Sequence, residues 1–374
     1  MLGQRPAGSR VVICAGAGGV GKTTVSAAVA IGLAAEGRRV AVVTIDPARR
    51  LAQALGLDEL GNEPLRVDKA RLAEAAVETR GELWAMMLDA KRTFDELIDR
   101  MAPDEDTRDA IYANEIYRRL SGAVAGSQEY TAMVKLLDLV HDGRFDVVVL
   151  DTPPSRNALD FFEAPDRLTA FLDGRALRIF LAPAGPARLL SGGASAAFGL
   201  LRRVTGVALL QDLATFFQQL SGLLDGFRRR ASDIDDLFRN PTTRFLVVAS
   251  PARGPVDETV FFTRQLQRAG LTPAALVINR VHPVDPDPCS EEQTTARLTE
   301  ALGAGLARRV ARTHAELQVL ARRDAAGIRR LSDELSETQP VIVTEINTDV
   351  HDLSALAALH AQLRAGDTGR TAPG

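Results

Sequence analysis

Residues 11–24 read VVICAGAGGVGKTT, and their reading decides the fold. Gly16-Ala17-Gly18-Gly19-Val20-Gly21-Lys22-Thr23-Thr24 is a complete G-x-x-x-x-G-K-[ST] run, preceded by the short apolar run VVICA and followed by the helical stretch TVSAAVAIGLAAEG. A glycine loop between strand and helix turns backbone N–H groups inward around an anion. The helix that follows adds the positive end of its dipole. In such a loop Lys22 reaches the β- and γ-phosphates and the Thr23 hydroxyl can ligate Mg²⁺. Only four of the 45 basic residues are lysine (Lys22, Lys69, Lys91 and Lys135), so a lysine at this point of the motif is not a by-product of composition.

Outward from the loop, short β-branched runs bounded by glycine or proline alternate with helical stretches, the pattern of a mostly parallel α/β sheet. Near-continuous apolar runs predict strands at Arg10–Ala15, Arg39–Ile45, Asp146–Leu150, Arg244–Ser250, Ala275–Asn279 and Val341–Glu345, with a shorter one near Leu65–Val67. Asp46 and Asp151 fall at the carboxyl ends of two of these strands, where open α/β sheets place their ligands. Asp151 is the natural carboxylate to hold Mg²⁺ directly or through its water, and Asp46 is a candidate to orient or deprotonate an attacking water. Each also reads as a helix cap, Asp151 before TPPS and Asp46 before Pro47.

Segments 70–142 and 155–240 show no strand signal and read as helical elaborations. In the second, Leu209, Leu213, Phe216, Phe217, Leu220, Leu223, Leu224 and Phe227 recur at helical steps. The small-residue run SGGASAAFG at 191–199 reads as a mobile connection. In LWAMMLDAKRTFDEL at 83–97 a Trp and two Met fall at helical spacing, which suits core packing. The expected organisation is one domain over 1–364 with the helical elaborations inserted in the sheet, and a disordered tail over 365–374.

The 374 residues carry 45 basic against 48 acidic side chains, a formal charge of −3, which offers no electrostatic footprint for nucleic acid or an anionic membrane. Two cysteines, Cys14 and Cys289, build no disulfide framework and suggest a reducing compartment. No apolar run is long enough for a signal-peptide core or a membrane span, so a cytoplasmic protein is expected. The five histidines show no metal-ligand spacing, and no metal besides Mg²⁺ is assigned.

GAGGVGKTT, TIDPARRLAQAL, LDAKRTFDEL, FDVVVLDTPPSRNALDFFEAP and LVINRVHP occur in order along nearly the whole chain. Together they resemble the arsenical pump-driving ATPases and their relatives that target tail-anchored membrane proteins. The resemblance implies a P-loop NTPase of the dimeric, deviant-Walker-A kind with a helical subdomain inserted in its sheet. It implies that Gly16, Gly18, Gly19, Val20, Gly21, Lys22, Thr23 and Thr24 bind ATP phosphates and that Thr23 and Asp151 serve Mg²⁺. It further implies that Asp46 acts on the water, with Lys22, in hydrolysis, that Asp151-Thr152-Pro153-Pro154 opens a switch segment, and that Asn279, at its strand's end, hydrogen-bonds adenine.

Four departures qualify the resemblance. The family's loop has a lysine, reaching into the partner subunit's nucleotide, where this chain has Ala17. Arg49, Arg156 or a lysine-bearing paralogue would then supply the cation. The zinc-closed dimers of the targeting members use a CxxC, whereas DPDPCSEEQ here holds one cysteine, short of the four ligands a structural zinc needs from two chains. Cys14, inside the first strand, reads as a small buried hydrophobe rather than part of an arsenite-sensing thiolate cluster. Arg156 and Asn157 also replace a glycine and a histidine in the second switch.

Two functions compete on this reading. The first is a Mg²⁺-dependent ATPase that couples nucleotide state to dimer opening, with a hydrophobic protein client or membrane transporter as partner. The second is a poorly hydrolysing regulatory subunit paired with a lysine-bearing paralogue, so that a homodimer and a heterodimer both stay open. Residues 168–227 would form either a client groove or ordinary core. A partition-type ATPase would need a basic membrane helix or DNA face, and DLSALAALHAQLR suits packing better.

Overall fold

The computed structural model describes residues 9–46, 48–115, 117, 127–153, 169–170, 215–219, 221–285, 289–335, 338, 340–346 and 353–368. The chain opens with β1 (Val11–Gly16), α1 (Lys22–Ala35), β2 (Arg39–Thr44), α2 (Arg50–Ala54), β3 (Leu65–Arg66), α3 (Lys69–Glu74) and β4 (Glu82–Met87). It continues through α4 (Ala90–Met101), α5 (Glu105–Ala113), α6 (Ser127–Asp142), β5 (Val147–Asp151) and α7 (Leu224–Arg239). The last described elements are β6 (Thr243–Ala249), α8 (Arg253–Arg268), β7 (Pro273–Val281), α9 (Glu291–Glu334), β8 (Pro340–Thr344) and α10 (Leu353–Thr368).

Apolar residues run almost uninterrupted through β1 and β5 and through Phe245–Ala249 of β6, because parallel strands are covered on both faces. These strands join one eight-stranded sheet in the order β3-β4-β2-β5-β1-β6-β7-β8. Every pairing is parallel except β3 with β4. Central β1 has β5 on one side and β6 on the other, so chain connections diverge to both sides at its carboxyl end. That crevice is where doubly wound sheets hold their ligands. The β7–β8 register is broken between Ile278 and Val281.

Compactness divides the chain into two units. One comprises 1–87, 142–159 and 241–374, and the other 88–141 and 160–240. The first holds the sheet. Its α1 is rich in buried small residues (Ala27, Ala28, Ala30 and Ala34) that let the helix lie close on its neighbours. Helix α9 starts with a reciprocal capping box between Ser290 and Gln293 and breaks at Gly303, whose φ of 73° is not helical.

The second unit is helical where described. Asp89 and Asp104 cap α4 and α5. Phe94 stacks on Tyr117 at 6.1 Å and on Phe227 at 6.0 Å between ring centroids. Asp138 accepts hydrogen bonds from both Arg100 and Arg230. Phe216, Leu223, Leu224 and Phe227 of the predicted apolar stripe are buried here, as core. Phe217 of the stripe is half-buried, and most of the remaining proposed client groove, with the 191–199 connection, Arg156 and Asn157, lies outside the described residues.

The structure corrects the sequence reading in three places. Residues 82–87 of the stretch expected to be helical form β4, paired along its length with β2, and α4 begins only at Ala90. A five-residue apolar run such as LWAMM fits either period. Its seat between β3 and β2, with Leu83, Ala85 and Met86 buried, makes it a strand. β7 runs two residues past Asn279, placing that residue inside the strand rather than at its end. The expected tail begins too early, because α10 continues to Thr368. Among the described residues no helix is long and apolar enough to cross a membrane.

Candidate functional site

The loop after β1 is shaped by two close approaches. A Cβ on Gly16 would sit 2.0 Å from the Val248 carbonyl oxygen of β6, so only glycine lets the chain turn there. Gly21, the N-cap of α1, has φ 93°, and a Cβ on it would sit 2.4 Å from Asn279 Nδ2. Between them Ala17 and Val20 turn inward, each 1% exposed, while Gly18 and Gly19 face solvent. Asn279 Nδ2 donates to the Val20 carbonyl at 2.9 Å. One donor of Asn279, the side chain expected to meet adenine, thus holds the loop, and its amide carries a second N–H and an oxygen besides.

Lys22 opens α1 and is buried at 7% exposure, its Nζ donating to the Ala17 carbonyl at 2.9 Å. Burial pulls its pKa below the ordinary lysine value, while the charges of Asp151 and Asp46 pull the other way. One residue on, Thr23 Oγ1 donates to Asp151 Oδ2 at 2.6 Å, and Thr44 Oγ1 at the end of β2 donates to the same oxygen at 2.9 Å. Asp151 Oδ1 is also buried but has no hydrogen-bond partner among the described residues. Burial raises the Asp151 carboxyl from 3.8 to about 6, against the opposing pull of the two hydroxyl bonds and Lys22. Sheet order explains the cluster. β5 lies between β1 and β2, so its last residue meets the loop after one neighbour and the terminal threonine of the other.

Asp46 lies just beyond β2 and is better exposed. Its Oδ1 accepts from the Ala48 N–H at 2.9 Å, and Arg50 lies 3.7 Å from its Oδ2. Its turn-forming role and its position at the cleft coexist. Thr152 follows Asp151 and donates both its N–H and its hydroxyl to the Cys14 carbonyl, tying β5 to β1. Cys14 itself is fully buried, its thiol pushed up to about 12, chiefly by desolvation.

These groups open on a cleft of about 750 Å³, within the range of small-molecule sites. Gly19, Gly21, Lys22, Thr23, Thr24, Asp46 and Asn279 line it, whereas Gly16, Gly18 and Val20 shape the loop and Asp151 sits behind Thr23. Sequence reasoning missed Arg50, Arg280 and Glu345 at this cleft. Arg50 had a signal, its helical i,i+4 spacing from Asp46; Arg280 and Glu345 had only their nearness to strand ends. Arg49, proposed as a substitute cation, instead lies 3.9 Å from Glu59.

The profile described as Anion-transporting ATPase matches residues 9–333. A protein provisionally named arsenical pump-driving ATPase 1 from Aquifex aeolicus is 26% identical over 291 residues, covering 73% of this chain and 64% of its own length. The ATPase GET3 of Malassezia globosa is 26% identical over 276 residues, 72% of each chain. An ATPase ASNA1 homolog of Cryptosporidium parvum is 25% identical over 276 residues, 73% of this chain and 66% of its own. The profile match spans the phosphate loop, both aspartates and Asn279, and on it the chain belongs to the anion-transporting ATPase family.

Proposed function

We propose that the chain binds ATP with Mg²⁺ in this cleft and hydrolyses it, and that nucleotide state opens and closes a dimer that handles a protein or transport partner. The observation that carries the reading is the half-satisfied Asp151. A buried carboxylate oxygen without a donor is unfavourable unless a cation or its bound water shares it. Asp151 Oδ1 is such an atom, and the neighbouring Thr23 hydroxyl supplies a second hard oxygen. Thr23 and Asp151 would therefore hold Mg²⁺, which when bound neutralises charge on the phosphate oxygens.

The chain's own groups supply the rest. Loop N–H groups and the start of α1 cradle the phosphates, and Lys22 is held at the loop by Ala17 until a phosphate competes for its ammonium. Asp46 would orient a water or take its proton, a role supported by its fixing by Ala48 and its nearness to Arg50 at the cleft. The names of the relatives support coupling to a transport or targeting partner. A soft arsenic site on clustered thiolates does not suit Cys14, whose buried thiol stays protonated.

Steady-state ATP hydrolysis by the purified chain with Mg²⁺, beside a Lys22→Ala control, tests the proposal. Turnover that disappears with Lys22 supports it. ATP binding without turnover would shift the chemistry to a site completed by another subunit, and absence of ATP binding would remove the proposal.

A further inference from the structure

Arg280 follows Asn279 in β7, and in a regular strand the two side chains would leave opposite faces of the sheet. Here both reach the phosphate loop. Asn279 donates to the Val20 carbonyl and Arg280 Nη1 donates to the Gly19 carbonyl at 3.0 Å. The backbone explains how. Arg280 has φ 60°, a region non-glycine residues rarely take, and the β7–β8 register breaks between Ile278 and Val281. Such irregularities re-aim side chains at strand ends beside functional sites.

Three cations line the cleft, and they differ in what already occupies them. Lys22 is buried against Ala17, and Arg50 lies 3.7 Å from Asp46. Arg280 is exposed and makes no ion pair with a described residue, while Glu345 across the cleft lies 3.1 Å from His282 Nε2. A guanidinium has five donors in a flat fork, and a carbonyl takes only one of them. The remaining donors suit two oxygens of a phosphate, the geometry in which arginine outperforms lysine.

We infer that Arg280 is a phosphate-binding residue of the nucleotide site: with one N–H on Gly19 and its other donors on two oxygens of a phosphate of the bound nucleotide, it ties the loop and the anion together. The inference rests on the ATP reading above and adds to it the residue that recognises the anion from the β7 side.

Calorimetric titration of wild type, Arg280→Gln and Arg280→Lys with Mg–ATP and with adenosine tests it. Glutamine keeps an N–H donor for Gly19 but removes the charge. The expected result is ATP affinity weakened roughly 10- to 100-fold in Arg280→Gln, the size of a charge-assisted bond, with adenosine binding unchanged and most ATP affinity retained in Arg280→Lys. The dependence of ATP affinity on salt should flatten in Arg280→Gln alone. ATP affinity equal to wild type in Arg280→Gln, or an equal loss for adenosine, overturns the inference and leaves Arg280 a tie for the loop. A wild-type chain that binds no ATP overturns the ATP reading together with this one, so the two failures are told apart by the wild-type titration.

Discussion

Two strand ends meet the phosphate loop and do so by opposite means. β5 ends in register with both neighbours, and its last residue, Asp151, is 1% exposed and held by two threonine hydroxyls. β7 ends in a register break, and its Arg280 projects an exposed cation over Gly19. A carboxylate that must work out of contact with bulk water is best carried on regular strand between two others, where the lattice of backbone bonds fixes its depth. A side chain that must reach around a loop from the next strand needs the strand to bend. The contrast predicts that substitutions at the first end act through chemistry and charge burial, and at the second through geometry.

The largest effect is expected at Asp151→Asn. If Asp151 holds Mg²⁺ as proposed, replacing its unpartnered oxygen should lower hydrolysis on the order of 10³-fold, read as steady-state turnover. The nucleotide-free protein should nevertheless stay folded, since an amide oxygen can still accept from Thr23 and Thr44. A fall in thermal stability at pH 7 to match the lost activity would show that Asp151 acts through the fold and not through chemistry.

Asp151 titrates at about 6 in the folded chain against 3.8 unfolded, so between those values the folded state holds more protons. Its contribution to stability therefore declines as pH rises through that window, by roughly 2–3 kcal/mol in all. Denaturant unfolding of wild type and Asp151→Asn without nucleotide should show the variant gaining on wild type from pH 4 to 6 and the gap levelling off above. In the same range, protons compete with Mg²⁺, so the Mg²⁺ needed for half-maximal turnover should rise about tenfold per unit below pH 6.

Gly21→Ala probes the bent end. Its Cβ would meet Asn279 Nδ2 at a φ of 93°, so the side chain must leave Val20 or the loop must shift. A stability loss of about 1–3 kcal/mol is expected by denaturant titration, with weaker ATP binding. Asn279→Ala made alone and with Gly21→Ala completes a cycle, and coupling near zero would show that the two do not meet.

The smallest effect lies at the opposite end of β5. Arg39 and Asp146 pair at 2.8 Å with both side chains near half exposed. Arg39→Ala should move the midpoint of thermal unfolding by less than about 2 °C. Arg39 holds the Asp146 carboxyl below its ordinary value, so what the pair does contribute is present at neutral pH and fades as pH falls through that lowered value. A shift at pH 7 that persists in acid would contradict this origin.

Much of the site was legible because its signals are local. Gly16 to Thr24 form a contiguous motif, and Asp46 and Asp151 each follow an apolar run that any reading of period finds. Asn279 was found by its place near a strand end, but nothing in VINRVHP shows that its amide also turns to Val20. Arg280 carries no motif of its own, and alternation along a regular strand would send it to the face opposite Asn279; only the φ of 60° lets both reach the loop. β4 was missed for a different reason: a short apolar run carries no period long enough to separate strand from helix.

The amino-acid sequence alone determined the mostly parallel α/β class, the phosphate loop and the two strand-end aspartates, all of which depend on residues close together along the chain. Only the tertiary structure decided that Thr23 and Asp151, 128 positions apart, share a hydrogen bond, and that Gly19 and Arg280, 261 apart, share another. It also decided which oxygen of Asp151 stays open. The reason is physical: local sequence sets backbone preference and burial period, whereas the partner of a buried polar atom depends on which strands the sheet places side by side.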